Sequence, residues 1–173
     1  MLYGRDTSEV GNNMKKHDAK ALVYDWEKFM LESNRIEGEN RINPGDETAV
    51  EIALMMPNTL DKILLLHRTL GAYLKKDWVG KWRSVDVRVG NFVPASAENI
   101  HFLMKDYIEQ IHLMDAWTAH NEFEKIHPFE DFNGRTGRLI WLSKVREPYY
   151  LQIPFLQAYY YQTLYQYERR PSV

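Results

Sequence analysis

Apolar residues recur at helical spacing through most of this 173-residue chain, and the pattern breaks in one place. Side chains three and four positions apart share a helix face, so such spacing predicts helices that bury one stripe each. Leu22, Trp26, Phe29 and Met30 predict a first helix from Asp18, its cap, to about Leu31. Ser33 to Gly38 brackets a further helical turn or two, and Asn43-Pro44-Gly45-Asp46 is a turn by composition. Glu47–Met56 then reads as a helix stopped by Pro57, and Asn58 or Thr59 caps the next, which runs to about Leu74. The exception is Val85-Asp86-Val87-Arg88-Val89, which alternates and meets Gly90-Asn91 before Phe92-Val93, the pattern of a small β-hairpin. Helices resume with Ser96 as a cap and Ile100 to Ile111 as the apolar stripe. Others are predicted from about Ala116 to Ile126, from near Arg135 to before Pro148, and, in a Tyr-rich segment opened by Gln152-Ile153-Pro154, to about Glu168. The expected fold is mainly α: one domain over residues 18–173 with a single β flap, preceded by a loose arm over residues 1–17.

Composition removes several function classes. With no cysteine, thiolate zinc sites, disulfide scaffolds and cysteine nucleophiles are excluded. Twenty-two Lys and Arg balance 24 Asp and Glu, and basic residues occur only in pairs such as Lys15-Lys16 and Lys75-Lys76, so no nucleic-acid partner is expected. The longest apolar runs, Ala53–Pro57 and Ile63–Leu66, are too short for a membrane span, and the polar N-terminus gives no secretory signal. The cytoplasm is the expected compartment.

Residues 127–138 carry the chemistry: His-Pro-Phe-Glu-Asp-Phe-Asn-Gly-Arg-Thr-Gly-Arg, between two predicted helices. Asn133-Gly134 is a turn pair that tolerates left-handed backbone, and Asn133 is also a candidate cap for the helix beginning at Arg135. A helix N-terminus here aims backbone N–H groups outward, a ready site for an anion. Arg135 and Arg138 share the first turn, where the helix dipole disfavours cations unless a negative group sits between them. A phosphate chain supplies that charge and matches the guanidinium forks. Asp131 is a hard carboxylate of the kind magnesium uses beside phosphates, and His127 supplies an imidazole, the side-chain type suited to taking a proton near neutral pH. Any one of these residues alone would read as a solvated charge on a connection; the ordered set reads as phosphoryl or nucleotidyl transfer.

The stretch resembles the signature of the Fic family, His-Pro-Phe-x-(Asp/Glu)-Gly-Asn-Gly-Arg-x-x-Arg, through His127, Pro128, Phe129, Asp131, Asn133, Gly134, Arg135 and Arg138. The hairpin ahead of Ser96 matches the family's flap. The resemblance implies a helical Fic core that transfers AMP from ATP to a Ser, Thr or Tyr hydroxyl of a target protein. His127 would take the hydroxyl proton, Asp131 would hold Mg²⁺, and Phe132, Asn133, Gly134, Arg135 and Arg138 would line the phosphate site. Val87, Arg88 and Val89 of the flap would align an extended target segment by strand addition. The target is another protein or the chain itself, and assembly with further copies of the chain is left open.

Phe132 departs from the pattern, because it stands where the family has glycine. If that position needs positive φ, phenylalanine there costs about 1–3 kcal/mol. Either its ring turns outward and the loop survives, or nucleotide handling is altered or lost. The alternatives to an active adenylyltransferase are therefore a silent nucleotide- or protein-binding module and a transferase of another phosphate-bearing group.

A second match lies N-terminal to the core. Ser33-Asn34-Arg35-Ile36-Glu37-Gly38 fits the inhibitory pattern (Ser/Thr)-x-x-x-Glu-(Gly/Asn) of self-inhibited family members. A carboxylate at Glu37 that reaches Arg138 would neutralise it and take the space of the terminal phosphate. His120 reads as a packing or loop-supporting residue, and His17, His67, His101 and His112 as structural or surface groups. Tyr159, Tyr160, Tyr161, Tyr165 and Tyr167 read as one face of the last helix.

Overall fold

A computed structural model describes residues 26–55 and 58–145. Within them the chain is helical over 26–36 (α1), Asp46–Leu54 (α2), Leu60–Gly71 (α3), Ile100–Gln110 (α4), Ala116–Ile126 (α5) and Asn133–Lys144 (α6). The mainly α fold follows from the apolar spacing. The proposed cap Asp18, the N-terminal arm and the Tyr-rich last helix lie outside the described residues.

Local chemistry sets most of the helix ends. Thr59 and Asp115 cap α3 and α5, accepting from the N–H groups of Lys62 and Thr118 at 3.3 and 2.7 Å. Ser33 does not open a separate turn, since α1 runs through it and stops where Gly38 takes a φ of 81°. Nor does Ser96 cap the next helix: its side chain makes no capping bond, and Asp86 accepts from the N–H of Ala97 at 2.7 Å instead. Buried Asp46, at the start of α2, accepts from Asn34 Nδ2 and from the N–H of Asn43, both at 2.8 Å. Those two bonds tie the end of α1 to the start of α2 and fix the segment that carries Glu37.

The centre of the fold is α6, which packs against α5, α2 and α3. Leu139, Ile140 and Leu142 are wholly buried, joined by Met30 of α1, Ile63 and Leu66 of α3, Met104 of α4 and Phe123 of α5. Each such side chain contributes about 1.5–3 kcal/mol of burial free energy. Because α6 is buried along nearly its whole length, its N-terminal turn is held rigidly, and the motif's arginines with it.

The hairpin is shorter than the alternation predicts. Among the described residues it closes through one antiparallel bridge, with Val89 and Phe92 exchanging N–H···O bonds of 3.0 and 2.9 Å around Gly90, whose φ is 58°. Val85, Val89 and Val93 are exposed, so one side of the alternation has no core to pack on.

Candidate active site

The motif loop runs from the end of α5 to the start of α6 over a bed of aromatic rings. Phe129 is wholly buried, stacked on His67 at 3.7 Å and on Trp82 at 4.9 Å between centroids. His67 accepts from the N–H of Gly80 through Nδ1 at 2.9 Å, so Nε2 carries the proton and donates to the carbonyl of Asp131 at 3.1 Å. Burial lowers the His67 pKa to about 4, which keeps the ring neutral and this hydrogen-bond pattern intact near neutral pH. Asn133 does not cap α6. Its side chain braces the loop, accepting from the N–H of Phe129 and donating to the Phe129 carbonyl, both at 2.9 Å.

The residue just before α6, at its N-cap position, is Phe132, with φ 61° and ψ 12°. The positive φ demanded of the family's glycine is therefore present, and phenylalanine adopts it. Its ring does not turn outward as the milder expectation has it. Phe132 is 4% exposed, its ring lies among His67, Tyr73 and Trp78, and the Arg135 guanidinium sits 3.5 Å above the ring centroid. Burial and the cation–π contact offset the backbone strain. Phe132→Gly is accordingly expected to lower stability by about 2 kcal/mol, since packing lost from a buried ring exceeds strain released. Denaturant unfolding measures this, and a more stable variant would mean that strain dominates.

Arg138 is fully buried and meets three groups of the Ser33–Gly38 segment. Its Nε donates to Ser33 Oγ at 2.8 Å, and its Nη2 donates to the Ser33 carbonyl at 2.9 Å and to Glu37 Oε1 at 2.7 Å. Gly134 makes room for this contact. A Cβ built there would stand 2.5 Å from Glu37 Oε1 and 2.9 Å from Arg138 Nη1. Arg135 lies 3.5 Å from Glu39 Oε1 and 3.9 Å from Asp131 Oδ1, and Asp131, with its side chain 59% exposed, accepts from the N–H of Phe132 at 2.6 Å. The predicted residues Asp131 to Arg138 are thus gathered at the N-terminus of α6, with Glu37 seated among them.

His127 is the residue after α5 and takes a left-handed φ of 50°. Buried Arg83, which the sequence reading passes over, holds it there. The guanidinium donates to the His127 carbonyl and to the Val85 carbonyl, each at 2.8 Å, and also to the Ala95 carbonyl. The N–H of Arg83 donates to Pro128 at 2.9 Å. One side chain therefore joins both roots of the flap to the backbone of His127. On the other side, Glu124 Oε2 lies 3.6 Å from His127 Nδ1. Glu39 and Glu124 also escape the sequence reading, although the i, i+3 spacing of Glu124 and His127 is a usable signal. His120 is buried beside Glu124, as a packing residue should be. Of the flap residues, Val89 forms the bridge to Phe92, and Val87 and Arg88 lead into it, with Arg88 Nε donating to the Gly90 carbonyl at 3.0 Å.

Chemically, the site offers a base candidate at His127, a carboxylate at Asp131 and two arginines at a helix N-terminus, with a carboxylate already bound to one of them. Among the described residues no helix is long and apolar enough to cross a membrane.

Residues 57–142 match the Fic/DOC family. Over 144 residues the chain is 28% identical to a Culex quinquefasciatus protein named Protein adenylyltransferase Fic, a match covering 75% of this chain and 28% of that protein. Over 91 residues it is 34% identical to the Drosophila virilis protein of the same name, covering 47% of this chain and 19% of the other. The matched stretch spans less than a third of either relative. Among solved structures, the chain resembles a Fic domain containing signaling protein from Bacteroides thetaiotaomicron (TM-score 0.63, 22% identity, 86% of this chain and 75% of that one). It also resembles a fragment of Fic-1 from Caenorhabditis elegans (TM-score 0.53, 21% identity, 95% and 59%). At these identities the structural likeness establishes the fold.

Proposed function

The chain belongs to the Fic/DOC family, and we propose that it transfers AMP from ATP to a hydroxyl of a target protein and is held in check by its own Glu37. The observation that carries this reading is the contact between Arg138 and Glu37: a buried arginine in the second turn of α6, its Nη2 donating to a carboxylate at 2.7 Å. A buried guanidinium needs an anion, and the site's own helix N-terminus favours one. A phosphate oxygen of ATP has the charge and geometry to replace the carboxylate. The relatives named Protein adenylyltransferase Fic support ATP as the substrate.

In this reading the hydroxyl oxygen of a Ser, Thr or Tyr forms a bond to the α-phosphorus while the bond from that phosphorus to the bridging oxygen breaks. Pyrophosphate leaves, and the hydroxyl proton passes to His127. Asn133, by bracing the loop, and Gly134, by leaving the space beside Arg138 open, shape the cradle; Arg135 and Arg138 bind the phosphates. Phe132 lines the cradle from beneath Arg135. The flap residues Val87, Arg88 and Val89 align the target.

Asp131 suits a magnesium ion, which uses one or two carboxylates and takes its other ligands from phosphate and water. Its carboxylate is largely exposed beside the arginines, and among the described residues no group of three or more His, Asp or Glu side chains is gathered to hold a metal unaided. When bound, the ion would neutralise phosphate charge.

The buried ring of Phe132 favours a second reading, a binding module without transfer, in which the side chain has closed part of the cradle. Incubation of the protein and of Glu37→Gly with Mg²⁺ and ATP labelled at either phosphate separates the readings. Label entering protein from the α-phosphate is the expected result. Label from the γ-phosphate alone would indicate a kinase, and no labelling with no nucleotide binding would indicate the silent module.

A further inference from the structure

Beside His127, at the C-terminal end of α5, stand two largely buried titratable groups, His120 and Glu124, that the reaction as described leaves unused. His120, Glu124 and His127 follow one another at i, i+4 and i+7, so they share one face. Gly137 of α6 passes directly over that face: a Cβ there would stand 2.6 Å from Glu124 Oε1 and 2.8 Å from His120 Nδ1. Helices α5 and α6 approach so closely because no side chain intervenes at this point. Glu124 Oε1 is shut away from water and takes no hydrogen bond among the described residues, while Oε2, on a side chain 16% exposed, lies 3.6 Å from His127 Nδ1. An unneutralised carboxylate is costly in such a place, and its neighbours supply the compensation. Burial pushes the Glu124 carboxyl upward, and the contact with His127 together with the charges of His120, His127 and Arg138 outweighs it, leaving the group below the usual carboxylate range.

We infer that Glu124 is the positioning residue for His127, taking the Nδ1 proton in a hydrogen bond so that Nε2 presents its lone pair to the incoming hydroxyl. Such bonds are long without substrate and shorten in the reactive complex. The backbone half of the same job falls to Arg83, whose bond to the His127 carbonyl fixes the left-handed turn from which the ring projects. When the hydroxyl proton reaches Nε2, the imidazole becomes a cation between Nδ1–H and the Glu124 carboxylate, which stabilises it; the oxygen keeps the electron pair that bonds to phosphorus. The contact assigned to Glu124 is with His127, so its effect is through that imidazole. The groups that face this imidazole or its partner are His120 and Glu124 from α5 and Arg138 from α6. The chemical step invoked rests on the adenylyltransferase reading, whereas the tautomer assigned to His127 does not.

The test uses the full chain carrying Glu37→Gly. With ATP labelled at the α-phosphate and Mg²⁺, Glu124→Gln is expected to lower the maximal self-labelling rate by about 10-fold or more while changing the KM for ATP less than about threefold. Nitrogen-15 NMR at neutral pH, with the His127 signal identified by its loss in His127→Asn, is expected to show the proton on Nδ1, and Glu124→Gln is expected to move the His127 titration to lower pH. Equal labelling rates in the two proteins, an unmoved titration, or a proton on Nε2 in the parent would each overturn the assignment. Should Glu124→Gln fail to fold, the parent's tautomer still decides. If Glu37→Gly neither labels itself nor binds ATP, the adenylyltransferase reading fails, and the NMR outcome stands apart from it.

Discussion

Glu37→Gly is expected to raise the rate of AMP transfer by about 10- to 100-fold, because a charge-assisted hydrogen bond in a protected site is worth about 1.5–3 kcal/mol and must be surrendered before a phosphate oxygen can bind Arg138. The bond in question is the 2.7 Å contact from Arg138 Nη2 to Glu37 Oε1. Glu37 is one-third exposed, so its carboxylate can move into water, whereas Arg138 is wholly buried and stays. Ser33 goes on satisfying Arg138 through two further bonds, so the variant keeps a folded site. Its stability without nucleotide is expected to fall by about 1–3 kcal/mol, the cost of leaving part of a buried cation without its acceptor. ATP should then restore more stability to Glu37→Gly than to the parent, since a ligand's stabilisation grows with the logarithm of its concentration over its dissociation constant. Glu37→Gln separates charge from shape: it fills the same volume without the anion and is expected to fall between parent and Gly in rate. The measurement is α-labelled AMP incorporated per minute, together with thermal unfolding with and without ATP. Equal rates in parent and Glu37→Gly would remove Glu37 from any inhibitory role.

How much of this was legible in the sequence depended on whether the deciding interaction was local. Helix periodicity is local, and α2 to α6 lie close to where the apolar spacing puts them. Caps were readable where the side chain is next to the N–H it satisfies, as at Thr59. They were misread at Asn133 and Ser96, where a competing partner takes over: Asn133 spends both side-chain groups on Phe129, and Asp86 serves Ala97 from eleven residues away. The hairpin came out shorter because alternation promises a strand only when one face finds something to cover it, and Val85, Val89 and Val93 remain exposed. Phe132 shows the same limit at the site. Its positive φ could be anticipated from the position of the missing glycine, but the pocket of His67, Tyr73 and Trp78 that draws its ring inward is assembled from α3 and the loop after it. Arg83 is the plainest case, because its carbonyl partners at Val85, Ala95 and His127 lie 2, 12 and 44 residues along the chain and no spacing rule connects them.

In the Glu37→Gly protein, His127→Ala is expected to reduce AMP transfer by about 10²–10⁴-fold, the usual contribution of a positioned general base. Two structural side effects have to be separated from that loss. His127 occupies φ 50°, a conformation that costs alanine about 1 kcal/mol, and removing the ring leaves Glu124 buried without its Nδ1 partner. His127→Asn answers the first, since asparagine tolerates left-handed backbone and its amide can still donate to Glu124, yet it has no group able to accept a proton near neutral pH. If His127 acts as the base, both variants lose transfer to a similar degree while ATP binding, measured by calorimetry, stays within about threefold of the parent, because the proposed phosphate ligands, Arg135 and Arg138, lie on α6. Should His127→Asn instead retain substantial transfer, the imidazole would be holding the loop rather than taking the proton. If ATP binding collapsed in both variants, the turn between α5 and α6 would be the feature that matters, and the base would have to be sought elsewhere in the site.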